Sequence, residues 1–175
     1  MVMEIKLIKP TIEYANDIME YKKEFLQCGD SMAGCGNLRE CSTAEEWIKE
    51  NELRESTKST PSDKVTSNTY IAVRMSDNKI VGVINFRHHI NHPILSTWGG
   101  HIGYSVRPCE RKKGYATEML RQVIINCKIY GLDKILVTCD KDNIGSKKAI
   151  IANGGLFEKD IEVDGDTIER YWIKL

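Results

Sequence analysis

Between Gly114 and Tyr130 the apolar residues Ala116, Met119, Leu120, Val123, Ile124 and Cys127 recur at three- and four-residue steps, which places them on one face of a helix. Tyr14, Ile18, Tyr21 and Phe25 repeat at the same spacing after Pro10-Thr11 and predict a first helix. Ser42-Thr43-Ala44-Glu45 has capping-box spacing ahead of Trp47 and Ile48, so a second helix is predicted to start there. A short helix over Asn143 to Ala152 is stopped by Asn153-Gly154-Gly155.

Strand patterns fill the intervals. Met3 to Ile8 reads as a first strand, and Thr69 to Met75, a turn at Ser76-Asp77-Asn78 and Lys79 to Arg87 read as a hairpin. A looser stretch, His88 to Thr97, leads into a predicted strand over Trp98 to Val106. Ile135 to Cys139 is nearly all apolar, as in a strand covered on both faces, and the strand-helix-strand order makes it parallel to the strand ending at Val106. Leu156 to Val163 and Thr167 to Leu175, joined around Asp164-Gly165, read as a closing hairpin. Gly29 to Cys41 carries three glycines and little periodicity, and residues 56 to 67 are polar around Pro61. Neither flank of that polar loop could fold alone, so residues 1–175 are read as one domain.

Composition narrows what such a domain does. Lys and Arg total 25 and Asp and Glu 25, so no global field draws the chain onto nucleic acid or an anionic membrane, and any anion site has to be local. Neither partner is expected. The opening Met1-Val2-Met3-Glu4-Ile5-Lys6 lacks a long apolar stretch, and no later one approaches the roughly 20 apolar residues of a bilayer span, so a soluble, cytoplasmic protein is expected. Six cysteines, at positions 28, 35, 41, 109, 127 and 139, have neither the close spacing of zinc ligands nor the density of a disulfide framework. Reduced thiols and no metal are expected.

The segment His101-Ile-Gly-Tyr-Ser-Val106-Arg-Pro-Cys-Glu-Arg111-Lys-Lys-Gly114-Tyr-Ala116-Thr carries the chemistry. It leaves a strand, passes Pro108, and enters the best helix through a turn with three consecutive basic residues. The first backbone N–H groups of a helix lack intrahelical partners and sit at the positive end of its dipole, so such a turn can hold a phosphate. Gly114 lets the backbone come close, and Arg111, Lys112 and Lys113 add charge. A solvated basic loop is the plainer alternative. The turn lacks the Gly-Lys-Ser/Thr ending of a P-loop and the Gly-x-Gly-x-x-Gly spacing of a dinucleotide fold, so the phosphate belongs to another ligand.

Arg111-Lys-Lys-Gly114-Tyr-Ala116 resembles the Arg/Gln-x-x-Gly-x-Gly/Ala signature of the GNAT superfamily of acyl-CoA-dependent N-acyltransferases. Val106-Arg-Pro108 is similar to the end of that family's fourth strand. Cys139-Asp-Lys-Asp-Asn143-Ile-Gly-Ser146, followed by Asn153-Gly-Gly155, resembles its second cofactor motif, and the string from Gly100 to Pro108 is similar to one in predicted bacterial acetyltransferases. The order of elements is similar over the whole chain. The resemblance implies a mixed α/β (α+β) fold: a central, mostly antiparallel twisted sheet of about seven strands with one parallel splayed pair, flanked by about four helices.

It further implies acetyl transfer from acetyl-CoA, the co-substrate, to a primary amine of a small molecule or peptide, by direct attack within a ternary complex. Backbone groups of Tyr104, Ser105 and Val106 would pair with the pantetheine arm. Amides of Arg111, Lys112, Lys113, Gly114, Tyr115, Ala116 and Thr117 would hold the pyrophosphate, and Asn143 would bond the pantetheine amides, with Ser146 and Lys147 at the other flank. A plain helix cap is the alternative for Asn143. Many members carry a tyrosine seven residues after this asparagine to protonate the departing thiolate; here that position is Ile150, so another group, with Tyr104 and Tyr171 as candidates, or water supplies the proton, or the thiolate leaves unassisted. A non-catalytic acyl-CoA-binding module is the alternative that the missing tyrosine leaves open, and a homodimer is the alternative to a monomer.

On the acceptor side, His101 is the only imidazole on an element lining the implied cleft and can relay a proton. Alternation puts residues 100, 102, 104 and 106 on the cofactor face and His101 opposite, unless Gly99-Gly100 or Gly103 introduces a bulge, so relay and structural bonding both stay open. Arg87, His88 and Asn91 sit where the family's strands splay and are the candidate substrate contacts, with a solvated loop as the alternative. The Gly29 to Cys41 loop would form the opposite wall. Positive charge near Cys109 would lower its pKa, but its place at the phosphate end argues against an acyl-cysteine.

Overall fold

The computed structural model describes residues 4–175. Strand β1 (Ile5–Ile8) comes first, and the predicted residue Met3 lies outside the described residues. Helix α1 (Ala15–Cys28) buries Ile18, Tyr21 and Phe25, and Gly29 at φ 69° terminates it in the left-handed region that glycine tolerates. Helix α2 (Ala44–Leu53) has its capping box one residue later than predicted: Thr43 Oγ1 accepts from Glu46 N, and the Glu46 carboxylate accepts from Ser42 N at 2.8 Å. Strands β2 (Ser67–Arg74) and β3 (Lys79–Arg87) form the predicted hairpin, followed by β4 (Ile102–Val106), α3 (Tyr115–Tyr130), β5 (Lys134–Asp140), α4 (Ile144–Ala152), β6 (Leu156–Val163) and β7 (Asp166–Lys174).

Helices cover both faces of the first sheet. On one, Tyr21, Phe25 and Trp47 pack with Ile71, Val73, Ile80 and Val83; on the other, Tyr115, Met119, Leu120 and Val123 pack with Ala72, Val81, Ile84, Phe86 and Ile102, a cluster that continues to Ile135, Val137 and Ile173. Gly82 permits the close approach of α3, since a Cβ there would lie 2.5 Å from Met119 Sδ.

The expected single sheet is in fact two. β1-β2-β3-β4 and β5-β7-β6 are separate, of four and three strands, and every ladder is antiparallel, so the expected parallel pair is absent. The reason lies at the start of β4. His101 N donates to Leu136 O at 2.8 Å, but Leu136 N donates to His101 Nδ1 at 2.9 Å instead of to a strand carbonyl. The side chain consumes the donor that would have continued a ladder, and Gly100, at φ 67°, has no room for a Cβ, which would fall 2.6 Å from Leu136 O.

That geometry also shortens the strand predicted over Trp98 to Val106. Leu95–Gly99 is a five-residue π-helix, so the described residues hold five α- or π-helices, besides two three-residue 3-10 turns, where about four helices were expected. Five successive carbonyls of this turn are taken by side chains from both sheets: Arg170 Nη1 donates to Ser96 O and Thr97 O, Thr138 Oγ1 to Trp98 O, and Arg87 Nη1 to Gly99 O and Gly100 O. Cationic donors suit the negative end of a helix.

Candidate active site

The basic turn ends at Gly114, which begins α3 at φ 87°, with no side chain capping the helix. Lys112 is also left-handed, at φ 63°. Alternating hands around a turn point successive N–H groups into one concavity suited to an anion. Tyr115 is buried, its hydroxyl accepting from Arg74 Nη1 at 3.1 Å, so it offers the turn only its backbone; Ala116 and Thr117 are half-buried. The side-chain charges are partly spent: Arg111 pairs with Asp30 at 2.7 Å and Lys113 with Glu110 at 2.7 Å, whereas exposed Lys112 forms no ion pair among the described residues. Burial alone would raise the Glu110 carboxyl, yet bonds from Lys113 and Arg74 hold it below the ordinary carboxylate value.

From this turn, β4 runs back along the gap between the sheets. It is the edge strand of its sheet, paired only with β3, so its other edge faces β5 with its backbone groups free of a ladder. Ile102, Tyr104 and Val106 face the α3 side, as the alternation predicts. Tyr104 Oη is 2.5 Å from Ser146 Oγ on α4, and burial pushes its pKa up to about 12. Ser105 points the other way, its Oγ 2.9 Å from Tyr21 Oη and 3.5 Å from Cys35 Sγ, so only its backbone faces the gap edge. Asn143 is an N-cap: its Oδ1 accepts from Ser146 N at 3.1 Å. Lys147 pairs with Glu169 at 3.0 Å, and Ile150 is fully buried. Tyr171 donates to Glu169 at 2.6 Å, and burial followed by that carboxylate raises its pKa.

His101 lies on the same parity as Gly103 and Ser105. Its Nδ1 accepts from Leu136 N, which places the ring proton on Nε2, and burial, then Arg87 and His89, push its pKa down to about 4. Arg87 N donates to His101 O at 2.8 Å, and the Arg87 side chain lies across Gly103, whose Cβ would be 3.0 Å from Nη2. Gly34 packs against the same spot, so the Gly29 to Cys41 loop comes up against β4 here. The other two candidate substrate contacts do not join this group. His88 is buried, with Nδ1 2.8 Å from Thr66 Oγ1, Nε2 2.7 Å from Asn68 Oδ1 and its ring stacked on Tyr130, so neither nitrogen is left for a ligand. Asn91 is on the exposed loop, its backbone N donating to His89 Nδ1 at 3.2 Å.

Three residues with structural weight were not singled out from the sequence. Arg107, with a 1% exposed side chain, donates to Asp17 and Glu24 at 2.8 Å each and ties α1 to the end of β4. Glu110 and Glu169, both buried, anchor the lysines that flank the gap. Cys109 donates to Glu24 at 3.4 Å, and burial plus that carboxylate raise its pKa, the reverse of the activation that a basic turn suggests. All six cysteines are free. No helix among the described residues is long and apolar enough to cross a membrane.

Comparison with solved structures gives the same fold. The microcin C7 self-immunity acetyltransferase MccE, solved with acetyl-CoA and AMP, superposes with a TM-score of 0.71 at 19% identity over 98% of this chain and 93% of its own. RimL, a ribosomal L7/L12 alpha-N-protein acetyltransferase solved with coenzyme A, superposes at 0.68 with 17% identity over 98% and 94%. An acetyltransferase from Salmonella typhimurium that modifies the N-terminal serine of L7/L12 gives 0.66 at 14% over 98% and 95%. No curated protein matches the sequence. The family model described as the acetyltransferase (GNAT) domain matches residues 5–155, from β1 through the end of α4, and by that match the chain belongs to the GNAT acetyltransferases and is an enzyme.

Proposed function

We propose that the protein transfers an acetyl group from acetyl-CoA to the primary amine of a small molecule or peptide, by direct attack in a ternary complex. The observation that carries this reading is the uncapped, left-handed start of α3 at one end of an unpaired strand edge. The amides from Arg111 to Thr117 would take the pyrophosphate, and the free edge of β4 at Tyr104 to Val106 would pair with the pantetheine arm as an added strand does. The acetyl-CoA and coenzyme A held by MccE and RimL support that choice of co-substrate.

The chain's own groups define the proton steps. His101 is neutral at physiological pH with its lone pair already bonded, so it positions β4 against β5 and does not act as the base. The incoming amine loses its proton to water in the gap, and the rate follows the acceptor's own ionisation. Tyr104 keeps its proton at neutral pH and is the acid proposed for the departing thiolate, in place of the tyrosine that Ile150 displaces. Cys109, the thiol nearest the basic turn, is held protonated by burial and the Glu24 carboxylate, so the proposed transfer forms no acetyl-enzyme. Gly114→Val tests the assignment: a β-branched side chain at φ 87° distorts the turn, and CoA affinity measured by calorimetry should fall at least about tenfold, the share of one charged phosphate contact. Unchanged affinity refutes it.

A further inference from the structure

The three basic residues of the turn are engaged differently. Lys112 forms no ion pair among the described residues, and Lys113 pairs with the buried carboxylate of Glu110, which Arg74 also holds. Arg111 pairs with Asp30, which comes directly after Gly29 at the end of α1 and whose carboxylate bonds to no other group among the described residues. Both side chains of that pair are 43% exposed, so water reaches it and it opens at small cost. Exchange of partners there leaves no buried charge behind.

Arg111 also reaches the strand edge that the pantetheine arm would use. Arg107 N donates to Val81 O and Arg87 N to His101 O, so the odd-numbered residues of β4 turn their backbone groups to β3 and the even-numbered ones turn theirs to the gap. Val106 O is therefore an edge carbonyl, and Arg111 Nε donates to it at 3.4 Å, with the guanidinium carbon 5.6 Å from the centre of the Phe25 ring. One arginine thus covers two groups that acetyl-CoA would claim. Its charge is taken by a carboxylate and withheld from a phosphate, and its Nε occupies a carbonyl that an added strand would pair with.

We infer that Asp30 is a tethered competitor of the cofactor's phosphates: it holds Arg111 against the end of β4, yields it when acetyl-CoA binds, and takes it back as CoA leaves. This rests on the acetyl-transfer reading and names a residue that sets cofactor affinity in that same site. The exchange trades one charge-assisted bond for another, so the carboxylate lowers CoA affinity by about the worth of a surface ion pair, roughly two- to fivefold. The difference falls mainly on the rate of release.

Calorimetry with CoA as titrant tests this on the native protein, Asp30→Asn, Arg111→Gln and the double variant. Asp30→Asn keeps the shape and removes the charge, so it should tighten CoA binding about two- to fivefold and slow CoA dissociation in stopped flow by a similar factor. Arg111→Gln should weaken binding. Adding Asp30→Asn to it should then restore at most about half of that gain, because the carboxylate no longer has an arginine to withhold. No tightening in Asp30→Asn, an affinity that Arg111→Gln leaves unchanged, or more than half of the gain persisting without Arg111, the mark of plain repulsion between Asp30 and the phosphates, overturns the inference and leaves acetyl transfer standing. No CoA binding by the native protein overturns both.

Discussion

Replacing His101 with glutamine separates a brace from a base. In the native structure the neutral ring accepts from Leu136 N, and its pKa lies at about 4, whereas an unfolded chain leaves histidine near 6.5. A depressed pKa means that folding favours the unprotonated form. The stabilisation is therefore complete above about pH 6.5 and is lost as pH falls towards 4. The full difference corresponds to about 3 kcal/mol, which partial solvent access reduces to about 2. His101→Gln offers an amide carbonyl to the same N–H and cannot titrate.

Urea unfolding from pH 7 to pH 4.5 should show the native protein losing about 2 kcal/mol more than the variant. Acidic groups and His88, whose pKa burial also lowers, contribute equally to both and cancel. A His101 resonance titrating near 6.5, or parallel stability curves, would refute the assignment. A kcat loss of 1,000-fold in the variant, with fold and CoA affinity intact, would make His101 the base after all.

Arg107→Met should cost about 3 kcal/mol in urea unfolding, because Asp17 and Glu24 keep their charges beside an apolar side chain; adding Asp17→Asn and Glu24→Gln should recover part of that, and no recovery would count against the ion-pair account. Cys109→Ala should leave initial-rate patterns intersecting, since its thiol is held protonated beside Glu24; parallel patterns in the native enzyme would reveal an acetyl-enzyme. Ile150→Tyr should lower stability by about 1–3 kcal/mol by overpacking, without raising kcat, since Gly155 already presses on that side chain.

Much of this molecule is written locally. The apolar stripe of α3 is buried at Met119, Leu120, Val123 and Cys127 as its spacing predicts, and Ile135 to Val137 are fully covered. The turn at Gly114 and the cap at Asn143 are where short motifs put them, because both depend on a few adjacent residues. What escaped depends on distance along the chain. Arg107 meets Asp17 across 90 positions and Glu24 across 83, and no pattern in one sequence couples them. The division into two sheets hangs on one imidazole taking one N–H, a choice that period-two alternation cannot register. Arg87 and His88 were both read as candidate substrate contacts by their place, but His88 faces the opposite way from Arg87 and is fully occupied, as alternation along a strand requires.

The turn whose five carbonyls are gripped by Arg87, Thr138 and Arg170 works as the pin of a hinge. Apolar layers slide over one another at small cost, but directional bonds from rigid guanidinium planes do not, so the two sheets are fixed together at the His101 end of the gap. On the acetyl-transfer proposal, the acceptor would meet the end of the slot that these bonds hold, and the cofactor's phosphates the basic turn at the other end.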